Sequence, residues 1–362
     1  MNPSCWDGTE TLCDNVFSEL DTFQQVTNED IIDTFTTKEG EDDKLSLAVI
    51  PKGMSFEYGS NRTANPGDVI LADQQASDIY VYEYESPNTP RSLGVDVGRV
   101  SGVALLHQQI DETTDADLLL FTVKADNTLY IYNLTGSDDP SPITNDDLKN
   151  FFGGNDFFES PTALAVSTDG DQVVVFVLND NGTDSSVRRL SVSLTTPLPD
   201  TNSLQTVATM GQSDARLTDI ALFQETGTDT LFASKKLIEG FGGWVYDISN
   251  ASVRETPVNL DTADFFIQQN PRVSGLAVAF NNSEATTAKL LLVNEDIGEG
   301  QVEQFDIDEG GETPETAYTP SAMFQSMQAI DYDCTKERLV MTDIPRNQVN
   351  TVRTFFQAIP TQ

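Results

Sequence analysis

Carboxylates and amide oxygens, rather than imidazoles or thiols, are the groups with which this chain could do chemistry. It holds 58 acidic residues against one histidine, His107, and three cysteines. Asp73, Asn179, Asp180, Glu295, Asp296 and Asp343 stand at the ends of short apolar runs, and Lys124, Lys235 and Lys236 occupy corresponding positions. A hard cation such as calcium takes roughly six to eight oxygen ligands and needs no imidazole. Those six acid and amide residues are therefore the candidate metal ligands, and calcium is the one cofactor their chemistry suggests. The run Asn179-Asp180-Asn181-Gly182-Thr183-Asp184 is rich in oxygen donors but lacks the distal glutamate of a helix-loop-helix calcium loop. Its Asn-Gly pair reads instead as a hairpin turn. A Ser-His-Asp or Cys-His mechanism would rest on His107 alone, and tetrahedral zinc sites are short of ligands. His107 reads as a hydrogen-bonded structural residue, and no catalytic residue is assigned.

The elements that would position these residues are set by a repeat. A short apolar motif centred on alanine recurs as LSLAVI at 45–50, SGVALL at 101–106, TALAVS at 162–167, TDIALF at 218–223, SGLAV at 274–278 and MQAIDY at 327–332. Its alanines are Ala48, Ala104, Ala165, Ala221, Ala277 and Ala329, spaced by 56, 61, 56, 56 and 52 residues. A second apolar run follows each motif, as in Leu118 to Val123, and then a third, alternating run such as IYVYEY at 79–84. Strands covered on both faces read as continuous apolar runs, whereas strands with one wet face alternate. Each repeat is thus a small sheet whose inner strand carries a small residue because it crowds a common axis. The expected architecture is all-β, a six-bladed β-propeller over residues 41–362 with an N-terminal, partly helical arm over 1–40. The sixth repeat ends at its third strand, so Phe23 to Val26 or Thr34 to Thr37 is expected to supply the fourth and close the ring. Val16, Leu20 and Phe23 suggest one helix in the arm, and Asn28-Glu29-Asp30 would cap a second. Cys5 could pair with Cys13, or Cys13 with Cys334, or all could stay reduced.

The (S/T)xxA first strand, the L-(L/F)-(V/A/T) second strand and the Y-x-Y or V-Y-D-I third strand resemble six-bladed propellers of the NHL, YWTD and phytase-like kind over roughly residues 45–360. Leu118 to Gly136 is most similar to a blade of the calcium-dependent phytase-like group, and there is a more distant likeness to calcium lactonases of the gluconolactonase type. That resemblance implies a binding mouth at one end of a central channel. It also implies, as an alternative activity, calcium-dependent hydrolysis of phosphoesters or lactones with Asp73, Asn179, Glu295 and Asp343 as ligands.

Charge narrows the partners. A formal net charge of −38 repels phosphate backbones and anionic lipid, so no nucleic-acid partner is expected. No apolar run is long enough to cross a bilayer as a helix, so membrane insertion is not expected either. So much acid suits a marine or halophilic medium, where salt screens self-repulsion. The chain begins without an apolar export signal. Together these features predict a non-enzymatic binding or structural module of a virion, on a phage tail or capsid surface, with a cytoplasmic location as the alternative. Its partners would be proteins or a surface glycan, reached within a larger assembly through the N-terminal arm.

Overall fold

The computed structural model describes residues 31–36, 45–59, 61–73, 78–83, 91–111, 114–136, 139–169, 172–193, 204–211, 214–225, 228–238, 242–248, 257–264, 266–269, 273–280, 288–294, 302–307, 315–318, 327–333, 338–343 and 351–358. Cys5, Cys13, Cys334, Phe23 to Val26 and the first predicted helix lie outside them.

Most of what is described is strand, grouped in short antiparallel sheets along the chain. After β1 (Ile31–Thr36), the first sheet is formed by β2 (Leu45–Val49), β5 (Val69–Asp73), β6 (Ile79–Tyr82) and β7 (Arg91–Ser92). A two-stranded hairpin, β3 (Phe56–Tyr58) and β4 (Arg62–Ala64), is inserted after β2. The second sheet holds β8 (Val100–Asp111), β9 (Thr114–Val123), β10 (Thr128–Asn133) and β11 (Ser141–Thr144), followed by the single-turn helix α1 (Asn145–Leu148). The third runs through β12 (Pro161–Asp169), β13 (Gln172–Asp180), β14 (Ser185–Ser193) and β15 (Gln205–Met210). The fourth holds β16 (Ala215–Glu225), β17 (Thr228–Leu237), β18 (Gly243–Asp247) and β20 (Ile267–Gln269). From its β18–β20 connection, β19 (Val258–Asn259) reaches back and pairs parallel with the outer edge of β15. The fifth comprises β21 (Val273–Phe280), β22 (Ala288–Asn294), β23 (Val302–Asp306) and β24 (Glu315–Tyr318). The sixth contains β25 (Met327–Asp333), β26 (Arg338–Asp343) and β27 (Thr351–Ala358), and its outer strand is β1.

The first strands neighbour one another in a closed cycle, β2 beside β8, then β12, β16, β21, β25 and back to β2. This is a β-propeller. Apolar side chains fill the spaces between adjacent blades; between the second and third, Leu106, Leu120, Phe157, Phe158, Val166 and Val175 pack together. Burying a side chain of that size removes it from water at about 25 cal/mol per Å², so each wedge of core holds its two sheets face to face.

The ring closes with β1 antiparallel to β27 and Phe35 opposite Val352. The closing strand overlaps the predicted Thr34 to Thr37 but begins at Ile31. A helix capped at Asn28-Glu29-Asp30 would run into this segment, and the segment is a strand instead. Ile31, Ile32 and the threonines at 34 and 36 are β-branched, which favours a pleated surface over a helix.

The inner strands converge in two tiers. At the position of the repeated alanine, Ala48, Ala104, Ala165, Ala221 and Ala277 face the axis, each with between 5% and 8% of its surface exposed. Strand register carries this tier into the last blade at Asp331, opposite Val340, just as Ala277 is opposite Leu291. Ala329 sits two residues earlier, beside Gly275, in the other tier. The motif in the sixth blade is therefore shifted by two residues against the alanine spacing.

The Ser/Thr that opens the motif has a structural task. In the second, fourth and fifth blades it lies at a register shift, where the inner strand bulges. From there its hydroxyl reaches the next blade. Ser101 donates to the Pro161 carbonyl at 2.6 Å, Thr218 to Val273 at 2.9 Å and Ser274 to Met327 at 2.6 Å. The residue after it must be small where strands touch. A Cβ added to Gly275 would stand 2.7 Å from the Gln328 carbonyl oxygen, and one added to Gly102 would stand 3.1 Å from Ala163 Cα.

Candidate functional site

The axial channel is a cavity of about 110 Å³ lined by both tiers. Its polar side chains are Ser46, Asp219 and Asp331. Each accepts a backbone N–H from the inner strand of the next blade. Ser46 Oγ takes that of Val103 at 3.0 Å, Asp219 Oδ2 that of Leu276 at 2.9 Å and Asp331 Oδ2 that of Val49 at 2.9 Å. Asp331 Oδ1 also takes the N–H of Tyr332 at 2.8 Å. A carboxylate holding a backbone N–H makes a charge-assisted bond, and within the channel these bonds tie blade to blade. The sequence reading missed all three residues. The signal was available as polar residues set at alternate positions of otherwise apolar inner strands.

The predicted rim residues fall into separate environments. Asp73, Asn179, Lys235 and Asp343 are structurally equivalent, each three residues past the partner of the alanine-tier position on the inner strand, whereas Val123 holds that place in the second blade and Lys124 lies one residue beyond it. The side chains of Asp73 and Asp343 lie outside the described residues, as do Glu295 and Asp296. Asn179 is buried, and its amide braces a loop, with Oδ1 accepting the N–H of Glu159 at 2.9 Å. Asp180 Oδ1 accepts the N–H of Gly182 at 3.1 Å inside the β13–β14 turn. Among the described residues, no three His, Cys, Asp or Glu side chains gather as a cation cage. Lys235 is buried, with its ammonium 5.2 Å from the Trp244 ring centre and 6.0 Å from that of Tyr246. Burial pulls the lysine below its ordinary pKa, opposed by Asp261 and Asp214, while burial raises that of Tyr246. His107 also belongs to the fold. It is buried with Nδ1 2.6 Å from Asp117 Oδ1, and its Nε2 lies 2.8 Å from where a Cβ on Gly53 would stand.

What the upper rim does present is a braced loop between the second and third blades, residues 145–160. Asp147 accepts the Thr144 N–H at 2.8 Å and starts α1. Asn145 Oδ1 takes the N–H groups of Phe157 and Phe158 at 2.8 and 2.7 Å, and its Nδ2 donates to the Phe158 carbonyl at 2.9 Å. Arg188 donates to the carbonyls of Asp156 and Phe157, each at 2.6 Å, and to Glu159 Oε1 at 2.9 Å. Its guanidinium also lies 5.2 Å from the Phe152 ring centre. Asn127 Oδ1 receives the Ser160 N–H at 2.7 Å. Phe157 and Phe158 are fully buried by this scaffold, and Gly153 and Gly154 turn the chain at φ of +62° and +81°. Phe151 is left 52% exposed, the one large hydrophobic side chain so placed among the described residues. The Phe-Phe-Gly-Gly and Phe-Phe pairs at 151–154 and 157–158 were the unread signal of this loop.

No family model matches the chain, and no curated protein does. Among solved structures, the chain is similar to an endo-arabinase from Bacteroides thetaiotaomicron, at 14% identity and TM-score 0.43, over 74% of this chain and 96% of that one. It is also similar to the β-propeller domain of Cps50 (Swd1) from Myceliophteria thermophila, at 9% identity and TM-score 0.44, over 87% of this chain and 100% of that one.

Proposed function

We propose that this chain is a non-enzymatic binding and structural module that docks a protein partner through the upper rim of its propeller. One observation carries the reading: Phe151 stands in water on a loop whose base is braced by Asn145, Asn127, Asn179 and Arg188. Phe157 and Phe158 on the same loop are buried and Phe152 partly so, so exposure of this one is a local property and not a shortage of core. A rigid aromatic anchor loses little conformational freedom on binding, which is why such residues dominate interface energies. The channel supports the same reading, because its polar side chains hold the ring together. A charge of −38 favours a partner whose pocket for the ring is bordered by Lys and Arg, and favours a salty setting such as a virion surface.

A photoreactive phenylalanine analogue placed at position 151, in the chain produced in its native source, tests this directly. The reading expects one defined cross-linked partner, lost when the analogue is moved to exposed Thr135, together with unchanged melting of Phe151→Ser. Equal labelling from both positions would contradict it.

A further inference from the structure

The β13–β14 turn assembles, around one amide, the groups that a cyclisation reaction needs. Asn181 and Gly182 are both exposed, Gly182 has φ of +92°, and a Cβ there would meet nothing within 4 Å. Asn181 Oδ1 accepts three bonds, from the N–H of Thr183 at 3.0 Å, the hydroxyl of Thr183 at 2.9 Å and the N–H of Asp184 at 2.9 Å. The N–H of Gly182 itself points at a carboxylate, Asp180 Oδ1, at 3.1 Å. The amide nitrogen Nδ2 lies 3.5 Å from Glu159 Oε2.

From this arrangement we infer that Asn181 is a site of self-catalysed deamidation through a succinimide. The Gly182 nitrogen adds to Asn181 Cγ, forming the N–Cγ bond. Its proton passes to Asp180 and then to the amide nitrogen, the Cγ–Nδ2 bond breaks and ammonia leaves. Water opens the five-membered imide to aspartate or isoaspartate. The three donors sit on the oxygen that becomes negative as the tetrahedral adduct forms, and they strengthen as that charge grows. Asp180 is placed as the base at the attacking N–H. The product adds a carboxylate facing Glu159 and Asp184, so one loop of the upper rim gains negative charge with age.

The test incubates the full folded chain in mildly alkaline buffer, beside a synthetic peptide of residues 177–187, and follows ammonia release and peptide mass at Asn181. The folded chain is expected to deamidate at least about tenfold faster than the peptide, because the peptide lacks the preorganised donors. Thr183→Val is expected to slow the folded chain by about tenfold and Thr183→Ser to restore it, with Asp180→Asn slowing it by a similar factor. Asp180 is buried, so its variant is judged only where its melting matches the parent; Thr183 is exposed and carries the test alone otherwise. A folded chain that reacts at the peptide rate or more slowly, or a Thr183→Val chain that reacts as fast as its parent, overturns the inference.

Discussion

The axis and the upper rim of this propeller use polar side chains for opposite purposes. At the axis, Ser46, Asp219 and Asp331 stand in the channel yet hold backbone N–H groups of neighbouring blades. At the rim, Asn145, Asn127, Asn179 and Arg188 hold up a loop whose product is an exposed aromatic ring. Both regions are rich in hydrogen bonds, but only the second spends them on presenting something outward. Polar groups in a channel therefore need not mark a binding site, and the surface left over by a bracing network is the better guide.

The sharpest way to break this contrast is to crowd the axis. Gly275→Val places carbons against the Gln328 carbonyl and Val293, and overpacking of this kind costs about 1–3 kcal/mol. It should lower the denaturation midpoint more than any rim variant below, as read by urea titration. Arg188→Met comes next. It strips donors from the carbonyls of Asp156 and Phe157 and frees Glu159, for about 2 kcal/mol. Unlike the axial change, it should raise proteolysis near Phe151 before global unfolding. Ser274→Ala removes one latch to the Met327 carbonyl and should cost about 1 kcal/mol with the rim undisturbed.

An effect of the same size, but dependent on pH, belongs to neither region. Tyr58 donates to Glu83 at 2.6 Å, and Arg62 donates to the same oxygen at 3.0 Å. Burial and this bond raise the phenol's pKa, and the bond lowers that of the carboxylate. The tyrosine's contribution is complete below its ordinary pKa of about 10 and is lost as pH rises through its raised value. The glutamate's is complete above about 4.3 and is lost as pH falls through its lowered value. Stability measured against pH should therefore show the gap between parent and Tyr58→Phe widest near neutrality, at about 1 kcal/mol, and narrowing at both extremes.

Much of the architecture was legible because it rests on local periodicity. Small residues on a crowded axis and apolar second strands recur at fixed intervals, and the strand ends at Asp73, Asn179, Lys235 and Asp343 fall at equivalent positions. The sixth blade misled by two residues, because Ala329 satisfies the pattern while strand register places Asp331 in the alanine tier. The direction in which Asn179 turns was not legible, since its partner is a backbone N–H twenty residues away. The bracing of the loop that carries Phe151 was hidden for the same reason, resting in part on Arg188, whose carbonyl partners at Asp156 and Phe157 are more than thirty residues away. Sequence spacing carries strands, and it does not carry which way a polar side chain faces once loops fold over it.

Amide hydrogen exchange at Val49, Val103 and Leu276 tests most directly whether the channel's polar groups serve the ring. All three N–H groups should exchange only with global unfolding, at the same rate in calcium as in chelator, while amides of the 181–184 turn exchange fast. Rapid local exchange of Val49 and Leu276 in chelator, slowed on adding calcium, would instead mean that Asp331 and Asp219 are ligand groups, and the contrast between axis and rim would fail.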